Sequence, residues 1–110
     1  MNNVFFVIAE TRFTGDENKN LSNQLEQEGI SFALALRVFR DPLRLTRQDR
    51  IEDHEERWQT IGVVHGITLL LVAHAIIEED KDGQHLETIG IISACKANKS
   101  ERNRYEEERG

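Results

Sequence analysis

Arg57, His74 and Lys96 are the side chains whose types and settings could do chemistry. Arg57 precedes Trp58 in a strand-like run, and its guanidinium is a permanently charged fork that matches the oxygens of a phosphate group. The ordinary alternative is an edge-strand cation paired with Glu55 or Glu56. His74 interrupts an apolar stretch, and imidazole is the side chain suited to proton transfer near neutral pH. A core histidine with a satisfied ring nitrogen is the competing reading. Lys96 ends the next strand-like run and would meet phosphate as a point charge, unless it is a solvated surface lysine. Asp16 and Lys19 fall in a first helical turn, where a capping carboxylate and an exposed ammonium are the plain interpretation. Cys95 has no histidine partner evident in the sequence and reads as a small semi-buried thiol rather than a nucleophile.

Other chemistries are excluded by what surrounds these residues. One cysteine cannot form an internal disulfide, no second thiol or histidine cluster stands at zinc spacing, and no glycine-rich phosphate loop occurs. Neither a metal nor a cofactor is expected. At 110 residues, with 31% charged and 38% apolar side chains, the chain suits one domain over residues 1–110 with a single core. Its longest apolar stretch, Ile67 to Ile77, is broken by Thr68 and His74 and falls short of the roughly 20 residues that span a bilayer. The apolar run Val4 to Ala9 lacks a basic leader, so a reducing cytoplasm, with no membrane partner, is the expected location. A net charge of −6 speaks against a protein that lives on nucleic acid, since phosphate binding needs clustered cations. The basic residues nevertheless gather in two zones, Arg37 to Arg57 and Lys96 to Arg109, which leaves room for a local positive patch.

The elements that must position these residues follow from pattern. Val4 to Ala9 is β-branched and aromatic and reads as an opening strand. Thr14 and Glu17 stand at capping-box spacing before a polar helix that stops at Gly29. Ser31 caps a second helix whose Phe32, Ala35, Leu36 and Phe39 make one apolar stripe before Asp41-Pro42 ends it. Leu43 to Thr46 reads as a short strand and the charged Arg47 to Glu56 as an exposed loop. Arg57 to Val64 and Ile67 to Ile77 form an antiparallel pair around His65-Gly66, and a polar connection turning at Asp82-Gly83 leads to a third strand, Leu86 to Ala94. From Ser100 a frayed helix nearly free of core residues closes the chain. The expected class is α+β: an antiparallel meander packed against two N-terminal helices, with a C-terminal helix.

Several segments in this order resemble the BrnT family of ribonuclease toxins. They are Phe13 with Asp16-Glu17-Asn18-Lys19; Asn23; Gly29-Ile30-Ser31-Phe32; Val38-Phe39 with Asp41-Pro42-Leu43; Glu55-Glu56-Arg57-Trp58 with Ile61-Gly62; Val72-Ala73-His74; Ile91-Ile92-Ser93-Ala94; Lys96-Ala97; and Glu101-Arg102 with Tyr105. The resemblance implies a RelE-like fold and a toxin that cleaves RNA without a metal. It also implies a BrnA-like antitoxin partner through which alone operator DNA is bound. Cleavage through the 2′-hydroxyl needs a base, a cation for the charge on phosphorus and an acid for the leaving oxygen. Arg57, His74 and Lys96 are the catalytic candidates under that reading. The chain departs from the family where Gly15 replaces a usual tryptophan and Gln27-Glu28 a usual Lys-His. Ile77, Gly90 and Cys95 stand where arginines are common, so weakened or lost cleavage is expected. The alternative is a non-enzymatic domain that binds a protein partner through an exposed sheet face.

Overall fold

The computed structural model describes residues 3–8 and 11–109. Strands β1 (Asn3–Ile8), β2 (Thr11–Asp16), β3 (Leu45–Glu52), β4 (Glu55–Val64), β5 (Thr68–Lys81) and β6 (Gln84–Lys96) join in one sheet, in the order β1-β2-β6-β5-β4-β3. Helix α1 (Glu17–Glu26) and the short α2 (Phe32–Ala35), which runs on as a 3₁₀ turn over Leu36–Arg40, pack on one face. Helix α3 (Lys99–Arg109) docks on the other. The class is α+β. The expected opening strand is β1, and its predicted last residue, Ala9, lies outside the described residues.

Three expectations change for the strands and for the segment that leads into α1. From β3 to β6 the strands form the antiparallel meander, but β2 joins β6 in parallel, so the sheet is mixed. Parallel neighbours need a long crossover, and here it is the whole stretch from α1 to β5. Thr14 does not cap α1: it sits in β2 opposite Gly90, held there by the burial of its neighbour Phe13, and Asp16 caps instead, its Oδ1 accepting from Asn18 N at 2.8 Å. The segment Arg47 to Glu56 is no loop. It is most of β3 and the start of β4, joined by Asp53-His54, both with positive φ (52° and 63°), the backbone of a two-residue hairpin turn. Its side chains are as exposed as their charges suggested; the ladder of backbone hydrogen bonds makes it a strand.

The helix face holds the larger core, in which Phe32, Leu36 and Val38 pack on Phe13, Leu70 and Val72. Asn23 of α1 is buried there. Its side-chain amide donates to Ile30 O (2.8 Å) and Ala94 O (2.9 Å), and its carbonyl accepts from Ala94 N (3.0 Å), pinning α1 to β6. The C-terminal helix is docked rather than frayed, because Tyr105 is buried on Ile61 and Leu69. The Tyr105 hydroxyl donates to Asp41 Oδ2, which also accepts from Val63 N at 2.9 Å, so one carboxylate ties α3 to the end of the 3₁₀ turn around the edge of β4.

A candidate site on the open sheet face

Alternation along the strands decides which side chains can meet. On β5, Leu70, Val72 and His74 point to the helix face, while Leu69, Leu71, Ala75 and Ile77 point to the face that carries α3. Helix α3 covers only the end of that second face near Ile61 and Leu69. Its other end is open, and there Arg57 lies opposite Ala75, which lies opposite Gly90, which lies opposite Thr14. Strand β6 carries one extra residue, Ile92, because Ser93 pairs with Ala73 while Ile91 pairs with His74. Without that bulge Gly90 and Cys95 would face opposite sides. With it, Gly90 opposite Ala75 and Cys95 opposite Leu71 share the open face.

The open end is a shallow depression of about 320 Å³ whose lining includes Asp16, Lys19, Glu55, Arg57, Ile77 and Gly90 together with Thr14. Arg57 Nη1 stands 3.3 Å from Glu55 Oε1, and its Nε is buried without a partner. The Thr14 hydroxyl is likewise buried and without a partner among the described residues. Two cations and two carboxylates therefore surround a depression beside buried, unpartnered polar atoms, an arrangement able to receive a polar ligand whose anionic group would meet Lys19 and Arg57. At Gly90 a Cβ would stand 3.4 Å from Ile77 Cδ1 and 3.8 Å from Thr14 Cγ2, so a longer side chain has room.

His74 does not reach this depression. It is 1% exposed on the helix face, where its Nε2 lies 2.8 Å from Thr60 Oγ1, which in turn lies 2.8 Å from Thr46 Oγ1. The ring meets Phe39 edge-on at 5.2 Å. Burial pushes its pKa down from 6.5 to about 4, against a smaller opposing influence of the Ala75 backbone, so the imidazole is neutral at pH 7. Lys96 is elsewhere again. It pairs opposite Leu70, five residues along β5 from Ala75 or about 17 Å at strand spacing, and its Nζ is 3.1 Å from Glu28 Oε2. Of the three residues singled out from sequence, Arg57 alone lines the depression. Lys19 and Glu55 line it too. Sequence reading took the first for a surface lysine and the second for a mere ion-pair partner, and only the sheet register brings them together. Cys95 has its thiol pKa raised by burial and, less, by Glu101, which keeps it protonated and poorly nucleophilic. On the β5–β6 hairpin, Glu78, His85 and Glu87 bring ligand-type atoms within 4.8 Å of one another, all exposed to solvent and outside the depression.

A mixed-sheet α+β protein with an arginine–carboxylate pair on an open sheet face defines the class. Residues 16–101 match the family described as the ribonuclease toxin, BrnT, of type II toxin–antitoxin systems, and the chain belongs to that family. Comparison with curated proteins gives no significant match. No helix among the described residues is long and apolar enough to cross a membrane.

Proposed function

We propose that this chain is the toxin of a type II pair, a cytoplasmic protein of RelE-like fold folded as one domain over residues 1–110. It binds RNA at the Arg57 depression, cleaves it weakly, and is held by a BrnA-like antitoxin through which alone operator DNA is reached. The observation that carries this reading is the Arg57 guanidinium, which lines the depression, keeps its side chain 24% exposed and is tethered by Glu55 at Nη1. Weak cleavage follows from what stands beside it. Ile77 and Gly90, where related toxins are expected to carry arginines, line the same depression and supply no charge, and one missing donor typically lowers a rate about 10²- to 10³-fold. His74 and Lys96, buried in the other face and about 17 Å distant respectively, act in this reading as supports of the fold rather than as direct participants.

The experiment is to compare cleavage of total RNA and host growth arrest for the chain as it stands and for Ile77→Arg with Gly90→Arg, each shown to be folded. The chain should cleave poorly and the double variant at least about tenfold faster, as expected for restored donors. Robust cleavage by the unaltered chain would refute the weakened site. A folded double variant that stays inert would favour the second reading, a non-enzymatic interaction domain, to which the solvent-facing Leu21 and Leu25 one turn apart on α1 lend support.

A further inference from the structure

We infer that Glu55 is the base for RNA cleavage in this chain, with Lys19 and Arg57 as the two cations that hold the phosphate; the inference rests on the RNA-binding reading above. A base for the 2′-hydroxyl must be a proton acceptor within reach of the cations that bind the phosphate. The acceptors that line the depression, together with His74 and Cys95, can be sorted by position. His74 is sealed in the opposite face behind Thr60 and Phe39. Cys95 lies opposite Leu71, four residues or about 13 Å along β5 from Ala75. Asp16 shares the depression but has one oxygen committed to the α1 cap. Glu55 remains. It and Arg57 are two residues apart on β4 and so share a face, its carboxylate is 3.3 Å from the Arg57 guanidinium, and its side chain is about half exposed at the mouth of the depression.

Lys19 enters from a different element. The α1 N-terminus follows directly on β2, so the first helical turn delivers Lys19 to the same depression from the side opposite β4. No carboxylate among the described residues pairs with it. A phosphate between Lys19 and Arg57 would keep its bridging oxygens beside Glu55. In the step itself the 2′-hydroxyl proton passes to Glu55 and the 2′-oxygen bonds to phosphorus. The bond from phosphorus to the 5′-oxygen breaks with its electron pair, and the proton held by Glu55 reaches that oxygen through solvent. A 2′,3′-cyclic phosphate and a 5′-hydroxyl result, with no other reactant consumed.

The test uses the 3′-(4-nitrophenyl phosphate) esters of the four nucleosides, whose nitrophenolate leaves without an acid, so that the rate reports the base and the cations alone. Binding of a 2′-O-methyl RNA, which cannot be cleaved, is measured in parallel. The chain should release nitrophenolate faster than buffer, and Glu55→Gln should slow it by about 10² or more, the usual contribution of a positioned base. Glu55→Asp should recover part of the rate and the exposed Glu56→Gln all of it. Glu55→Gln should bind the RNA as well as or better than the chain itself, since a negative charge is removed. Lys19→Gln should flatten the salt dependence of binding by about 0.7 in log–log slope, the loss of one phosphate contact to a single strand. RNA binding without nitrophenolate release, or an undiminished rate in Glu55→Gln, would overturn the assignment of the base. An unchanged salt slope in Lys19→Gln would remove Lys19. Failure of the chain to bind RNA at all would overturn the reading on which the inference rests, and the inference with it.

Discussion

His74 makes the stability of this protein fall as the pH turns mildly acidic. It is 1% exposed, and burial depresses its pKa from 6.5 to about 4. Its partner Thr60 can either donate to Nε2 or accept from it, so the hydrogen bond tolerates both protonation states and desolvation decides. A base whose folded pKa is lowered gives stability that is fully present above about pH 6.5 and is lost as the pH falls toward 4, because the unfolded chain takes up the proton first. At 1.36 kcal/mol per pKa unit the full loss is about 3 kcal/mol, of which about 2 kcal/mol has gone by pH 5. With a urea dependence of about 1.3 kcal/mol per molar for a chain of this size, the midpoint should fall by about 1.5 M between pH 7.5 and pH 5. His74→Gln is less stable throughout but has nothing to titrate there, so its midpoint should move far less over the same interval. Surface carboxylates contribute equally to both proteins and cancel in the comparison. Equal shifts in the two would show that His74 is not protonated preferentially in the unfolded chain, and the argument from burial would fall.

Phe32→Ala should lower stability by about 3 to 5 kcal/mol, since the ring is buried among Phe13, Leu36 and Ile91; an unchanged urea midpoint would remove α2 from the core. Asn23→Ala should cost about 2 to 4 kcal/mol, because Ala94 N and the Ile30 and Ala94 carbonyls lose their partner in a buried place, and exchange protection of the Ala94 amide should drop with it. Gly62→Ala should cost about 1 to 3 kcal/mol, as its Cβ would stand 2.8 Å from Val38 Cγ1 and 2.9 Å from the Val38 carbonyl, which backbone cannot readily yield; a neutral effect in thermal melts would mean the 3₁₀ turn packs more loosely than described.

Elements with an apolar period were legible in the sequence. The stripe Phe32, Ala35, Leu36 and Phe39 places α2 and its 3₁₀ continuation on the sheet, with Phe32 buried and Phe39 at its margin, and the β4–β5 and β5–β6 hairpins turn where His65-Gly66 and Asp82-Gly83 stand. Strand β3 was legible only at its start, Leu45-Thr46, within the short strand read over Leu43 to Thr46; the rest is an edge strand with no buried face, and its turn residues Asp53-His54 include no glycine to advertise positive φ. The parallel pairing of β2 with β6 joins segments far apart in sequence through Phe13 and Ile89, and nothing local encodes it. Arg57 could be singled out because arginine beside Trp58 in a strand is conspicuous. Its companions could not, since Lys19 and Glu55 resemble any solvated lysine and glutamate until β2 and β4 are known to flank the same two strands. His74 drew attention for its chemistry, whereas burial has made it a packing residue with a titration.

The two faces of the sheet therefore answer to different constraints, and the bulge at Ile92 is where they are sorted. Ahead of it, Ile89 and Ile91 feed the helix-face core and Gly90 the depression; beyond it, Ala94 returns to the core and Cys95 to the α3 side. Deleting Ile92 would put the strand back in even alternation, and one of the two halves would have to turn its side chains over, exposing either Ile91 or Ala94. The bulge is thus required by the core, whatever happens in the depression. Substitutions within the depression carry no such penalty, because Ile77 and Gly90 border open space and neither is needed to seal the helix-face core. An apolar side chain and a glycine can stand there, and an arginine can be accommodated, while the fold that places Arg57, Glu55 and Lys19 around the depression stays as it is.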